Sequence, residues 1–244
     1  DNDIPQLFTI SKKLYGRIKE TGIIHNALKG VRDGSSEIIN VIGPSGIGKT
    51  TFVTKIIRPL AGIKGLFITG KCDQLKMEMP YSPMIEAFRG LVRQILTESD
   101  EVVEIWKESI LDSVGQNARI IIDVIPEVEL ITGSQPPVPE LGAEETKNRF
   151  NLVFTNFIRV FISSKRPLTI FIDDLQWVDA ATVTLFKYII TDPKIKYLFI
   201  VGAYRDNEIG EYHSLRAFRD DLEKAGIRIN MIKLQPLDVI EVAE

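Results

Sequence analysis

The stretch Gly43-Pro44-Ser45-Gly46-Ile47-Gly48-Lys49-Thr50 decides the fold. It fits G-x-x-x-x-G-K-[ST] at every fixed position. Upstream, Glu37-Ile38-Ile39-Asn40-Val41-Ile42 reads as a buried strand; downstream, Thr51 to Arg58 reads as a helix that Pro59 should stop. Glycines let the backbone curl so that successive N–H groups point at one phosphate. The helix N-terminus adds a partial positive charge, and Lys49 adds a full one. Thr50 offers its hydroxyl to the Mg²⁺ that accompanies a nucleotide, with Thr51 the next contact along the helix. The stretch predicts that a nucleoside triphosphate binds.

A P-loop needs an acid to hold Mg²⁺, and the natural place is the carboxyl end of a neighbouring buried strand. Leu168-Thr169-Ile170-Phe171-Ile172 ends in Asp173-Asp174. Adjacent carboxylates after an apolar run are costly unless a cation or proton neutralises them. Asp173 is therefore expected to order Mg²⁺, and Asp174 to polarise the attacking water. Arg205 follows the strand Tyr197-Leu198-Phe199-Ile200-Val201-Gly202-Ala203. Its guanidinium can bond a γ-phosphate bidentately, or pair with Asp206 or Glu208 on the surface.

Working outward, a helix carries Ile23, Ile24, Ala27 and Leu28 on one face, and Gly65 to Gly70 reads as a short strand. A helix from Met84 to Leu96 places Ile85, Phe88, Leu91, Val92 and Ile95 on one face. From Thr97 to Glu140 the pattern loosens: Trp106, Ile110 and Leu111 suggest one helix, Ile120 to Ile125 fits strand or helix, and Gln135 to Pro139 is a polyproline-like connector. The helix Glu144 to Ile162 bears a Phe-rich stripe expected to be core. Further helices are expected from Val183 to Ile190 and from Ser214 to Ala225, then an alternating edge strand from Ile227 to Leu234. Alternating β and α elements predict a parallel sheet between helices, an α/β fold with a mostly helical insertion at about 97–142.

Composition narrows the function classes. The 244 residues suffice for one large α/β domain, and 44% apolar with 26% charged residues is ordinary for a soluble protein. A net charge of −3 gives no global pull toward nucleic acid or anionic lipid, and no apolar run approaches a membrane span. Cys72 is the single cysteine, which excludes an internal disulfide and suggests a reducing, cytoplasmic setting. His25 and His213 lack metal-ligand spacing, and Arg89 and Arg93 read as a solvated helix face. The opening Asp1 and closing Val242-Ala243-Glu244 suggest a piece excised from a longer protein.

With these residues assembled, the chain resembles the signal-transducing STAND NTPases within the AAA-type ATPases. More narrowly, it resembles the ATPase module lying between a serine/threonine-kinase-like domain and sensor plus histidine-kinase domains in large bacterial signalling proteins. The carriers are Tyr15-Gly16-Arg17-Ile18-Lys19-Glu20, the P-loop, the Gln135-to-Leu141 connector, Asp173-Asp174-Leu175-Gln176-Trp177-Val178-Asp179 and Gly202 to Glu208. The resemblance implies a five-stranded sheet of order 5-1-4-3-2, with Tyr15 and Arg17 against the adenine. It also implies that Arg205 senses the γ-phosphate and that Pro236, in Leu234-Gln235-Pro236-Leu237, approaches the base at the turn into a helical lid. The domain would run over 14–237, after a linker at 1–13 and before a truncated lid at 238–244.

The implied function is an ATP/ADP switch using Mg²⁺, with flanking kinase and sensor domains as partners and an ATP-dependent homo-oligomer as a further one. Many AAA-type ATPases carry Glu where this chain has Asp174, which suits slow turnover. The alternatives are a platform that holds nucleotide without cleaving it and a small-molecule P-loop kinase. The kinase would need clustered arginines in a lid, and the segment from Thr97 to Glu140 has only Arg119. A DNA-remodelling motor is disfavoured by charge.

Overall fold

A computed structural model describes residues 17–62, 65–210 and 214–236. Five strands form one sheet, β1 (Ser36–Ile42), β2 (Leu66–Lys71), β3 (Leu168–Asp173), β4 (Leu198–Tyr204) and β5 (Ile229–Lys233). Their spatial order is β2-β3-β4-β1-β5, and every pairing is parallel. This is the order that the resemblance implies, read from the opposite edge. The β3 strand therefore lies two positions from the P-loop strand β1, with β4 between them.

Parallel sheets need cover on both faces, and the alternation of side chains divides the core accordingly. Ile38, Ile170, Ile172 and Ile200 point to one face, against α4 (Ser82–Ile95), α8 (Ala143–Val160) and α9 (Ala180–Thr191). Ile39, Val41, Phe171, Phe199 and Val201 point to the other, against α1 (Ile18–Arg32) and the helix that follows the P-loop. The Phe-rich stripe of α8 is core: Phe88 of α4 meets Phe154 edge-on at 5.7 Å, and Phe157 and Phe161 lie fully buried beside it. Such aromatic pairs contribute about 0.5–1.5 kcal/mol each beyond the area they bury.

The segment after α4 folds as α5 (Asp100–Val114), α6 (Ala118–Val124) and α7 (Glu129–Thr132), all sharing the α4–α8 core. The ambiguous run at 120–125 is helical because Ala118, Ile121, Ile122 and Ile125, spaced i, i+3, i+4 and i+7, all reach that core. Residues 133–142, which include the proline connector, form neither helix nor strand.

Two expectations are corrected. The P-loop helix does not stop at Pro59. It begins as α2 (Lys49–Phe52), widens into a π-helical turn (Val53–Ile57), and continues through the proline as α3 (Arg58–Gly62). In the wide turn the Arg58 N–H donates to the Val53 carbonyl, five residues back. That shift takes the carbonyl ladder off the register in which a proline ring clashes, and Pro59 then occupies a first turn, where no N–H is needed. Arg89 and Arg93 are also not merely solvated. Both hold Glu127, at 3.2 and 2.7 Å, and so tie α4 to the turn before α7.

Candidate functional site

The loop between β1 and α2 turns on three glycines with positive φ: Gly43 at 153°, Gly46 at 77° and Gly48 at 91°. A Cβ at Gly46 or Gly48 would meet no neighbouring atom, so backbone conformation rather than crowding demands glycine there. The result is an open concavity at a helix N-terminus, with Pro44, Ser45 and Gly46 exposed and Ile47 half-buried. Lys49 lies beneath it, 7% exposed, its Nζ donating to the carbonyls of Gly43 and Pro44 at 2.8 and 2.9 Å. Burial, followed by the positive charge of Arg205, holds the Lys49 pKa below the usual lysine range. An anion in the cradle would oppose both effects by favouring the charged ammonium. Thr51 is exposed on the first turn of α2.

Register then brings the acids to the loop. The β3 strand ends at Asp173, whose Oδ2 accepts the Thr50 hydroxyl at 2.6 Å and whose Oδ1 accepts the Asp174 N–H at 3.0 Å. Asp174 adopts a left-handed backbone (φ 53°, ψ 42°), a strained state for a residue other than glycine that Asp tolerates better than most. Its carboxylate is held on both oxygens: Oδ1 accepts from Gln176 Nε2 at 3.1 Å, and Oδ2 lies 3.3 Å from Lys71 Nζ.

Gln176 Oε1 in turn accepts the Arg205 N–H at 3.3 Å. The Arg205 guanidinium pairs with Glu208 at 2.7 Å and sits 5.5 Å above the Trp177 ring. Of the two roles read for Arg205, the surface pairing is the one in place. The hydrogen bond from Arg205 to Glu208 favours its charged form. Asp206 is engaged by Lys233 at 3.1 Å.

The expected adenine contacts divide. Tyr15 lies outside the described residues, as does Leu237. Arg17 is described: its NH2 donates to the Gln235 carbonyl at 3.1 Å, and its guanidinium lies 5.8 Å from the Phe52 ring centre. Leu234 N–H donates to the Ile42 carbonyl at 2.9 Å. The segment leading to Pro236 thus runs beside the P-loop and meets Arg17 there, across 218 residues of sequence.

Lys71 and Gln176 were not singled out as site residues from sequence. The available signals were weak: Lys71 closes a short strand and pairs in register with Asp173, and Gln176 follows the acid pair by two. The donor set suits a small hard cation, since Thr50 and Asp173 offer a hydroxyl and a carboxylate oxygen, and Mg²⁺ draws its remaining ligands from phosphates and water. No all-protein cluster of three or more His, Cys, Asp or Glu exists among the described residues. No helix among them is long and apolar enough to cross a membrane.

Comparison with known proteins agrees with this fold. Residues 13–201 match the family described as AAA ATPase domain. Over 178 residues the chain is 40% identical to Hybrid signal transduction histidine kinase G of Dictyostelium discoideum, an alignment covering 73% of this chain and 5% of that protein. Over 172 residues it is 23% identical to Histidine protein kinase 1 of Candida albicans, covering 64% of this chain and 7% of that protein. The chain therefore spans only a small part of the relatives it matches.

Proposed function

Since the chain belongs to the AAA ATPase domain family, we propose that it is an ATP-binding, slowly ATP-hydrolysing switch module of a larger signalling kinase. The carrying observation is the hydrogen-bonded path from Thr50 through Asp173, Asp174 and Gln176 to Arg205. It links the phosphate cradle to a guanidinium at the same rim whose ion pair is local and partly exposed. In this reading the P-loop N–H groups and Lys49 hold the phosphates, and Arg17 and Pro236 border the base together with Tyr15. Thr50 and Asp173 hold Mg²⁺, which when bound supplies Lewis-acid polarisation of phosphate oxygens.

Asp174 orients the attacking water and accepts its proton. The contacts to Lys71 and Gln176 already occupy part of its carboxylate, and one methylene less than Glu shortens its reach. Both features support slow turnover. Arg205 exchanges Glu208 for the γ-phosphate, so that ATP and ADP states differ at this residue. Two relatives named as histidine kinases support a flanking kinase domain as the wider context; sensor domains, a cytoplasmic setting and nucleotide-dependent self-association complete the proposed reading.

Phosphate release tests the reading. Purified protein with Mg²⁺-ATP should release phosphate at a slow steady rate that Asp174→Asn abolishes, while a fluorescent ATP analogue still binds. The second reading, a platform that keeps its nucleotide intact, draws on the same engagement of Asp174 by Lys71 and Gln176. Nucleotide binding without any release above background would favour it. Absence of nucleotide binding altogether would end both.

A further inference from the structure

Behind the nucleotide rim, on the opposite face of the sheet from the P-loop helix, lies a cavity of about 240 Å³. Its floor is β1, β4 and β5, and its roof is α9 with α10 (Ser214–Lys224). The walls are apolar: Ile38, Ile200 and Met231 below, Phe186, Ile190 and Phe218 above. Two features of this space are unlike a packing defect.

The first is Asn40, a carboxamide in the middle of a strand, flanked on that face by Ile38 and Ile42. It has no side-chain hydrogen bond among the described residues. Its neighbour on β4 is Gly202, where a Cβ would meet Leu175 and come within 2.6 Å of Asn40 Oδ1. The glycine leaves room for the carboxamide to face the cavity. The half-buried carboxamide offers the cavity a donor and an acceptor that a ligand can bond in place of water.

The second is the charge at the mouth. Asp206 is neutralised by Lys233. Among the described residues Arg219 meets only Glu223 and Asp220, at 3.7 and 3.8 Å, beyond hydrogen-bonding distance, and its buried Nε has no hydrogen-bond partner there. Arg216 has no ion pair among the described residues. Burial raises the pKa of the Tyr204 hydroxyl, and the charges of Arg219 and Arg216 oppose that shift, so both guanidiniums act on the same space.

We propose that this cavity is a second small-molecule site, taking a small amphipathic carboxylate whose apolar body lies between the sheet and the Phe186–Phe218 roof and whose carboxylate meets Arg216 and Arg219. Arginine suits this task because its planar donors match a carboxylate. The proposal does not depend on the nucleotide reading.

Calorimetric titration of the 244-residue chain with octanoate tests it. One saturable site is expected, with octanol, the same body without the charge, binding at least about tenfold more weakly. Arg216→Glu with Arg219→Glu should weaken octanoate by a similar factor, and Met231→Trp should block it, while both retain binding of the fluorescent ATP analogue. Lys49→Ala should leave octanoate binding unchanged. Absence of saturable octanoate binding overturns the proposal, as does equal affinity for octanol on the unmodified protein. Binding that survives both the charge reversal and the filled cavity overturns it too.

Discussion

Lys49→Met isolates the charge at the centre of the cradle. Methionine keeps most of the aliphatic stem, so the packing of a side chain only 7% exposed changes little. The folded protein loses two hydrogen bonds, to the carbonyls of Gly43 and Pro44. It also loses a buried ammonium whose charged form is disfavoured by burial and by Arg205. These effects oppose each other, and stability to denaturant should shift by about 1 kcal/mol or less. Binding has no such compensation. A charge-assisted hydrogen bond to phosphate contributes about 1.5–3 kcal/mol, and the attraction of unit charges about 4 Å apart near a protein surface adds up to about 4 kcal/mol before desolvation. A net loss near 3 kcal/mol weakens binding a little over a hundredfold. Titration with a fluorescent ATP analogue measures the loss, and urea unfolding of the same preparation confirms the fold. Affinity within threefold of the unmodified protein, with the fold intact, would refute the phosphate reading of Lys49.

The same lysine predicts a pH dependence. Its pKa is lowered in the free protein and should rise toward the ordinary value when phosphate neutralises the site. Binding then takes up a proton, so nucleotide affinity should fall as pH rises through the free-state pKa, somewhere below 10.5, and Lys49→Arg should flatten the profile. Gln176→Leu removes the link between Asp174 and the Arg205 backbone; phosphate release should drop about tenfold with nucleotide affinity nearly unchanged, a kcat effect visible in steady-state kinetics. Burial pushes the Cys72 thiol up to about 12, so iodoacetamide at pH 8 should leave native protein unlabelled and label it only after unfolding, as mass spectrometry would show. If octanoate and nucleotide sites are coupled through β4, each ligand should change the other's Kd by the same factor, measurable by paired titrations.

Much of this architecture was legible because its signals are local. Strand β3 is a mostly apolar run closed by Asp173 with Asp174 directly after it, and the α8 stripe repeats at helical spacing over 18 residues. Ambiguity at 120–125 came from reading six residues alone; the period becomes visible once Ala118 is included. What sequence could not show is contact between distant residues of ordinary type. Glu127 lies 34 and 38 residues from the arginines that grip it, and Lys71 faces Asp174 across about a hundred positions. The passage through Pro59 was hidden for a different reason. A π-turn has no compositional signature, so a rule that is sound for regular helices gave the wrong end point.

Strand β4 gives the site its logic. Along one short strand, Ala203 packs beneath the P-loop side while Gly202 and Tyr204 border the opposite cavity, and Arg205 follows at the end of both. Alternation makes this unavoidable: a strand between two others must show successive residues to opposite faces. Arg205 is held there by its backbone to Gln176 and by its side chain to Glu208, on elements to either side of it in sequence. Neither hold is a buried charge pair, so neither locks the residue. The acids at the end of β3 are fixed by contrast, with Asp173 bonded to Thr50 on one oxygen and to the Asp174 N–H on the other. One partner fixed and the other replaceable is the arrangement that the proposed switch requires, because only the replaceable contact can differ between ATP and ADP.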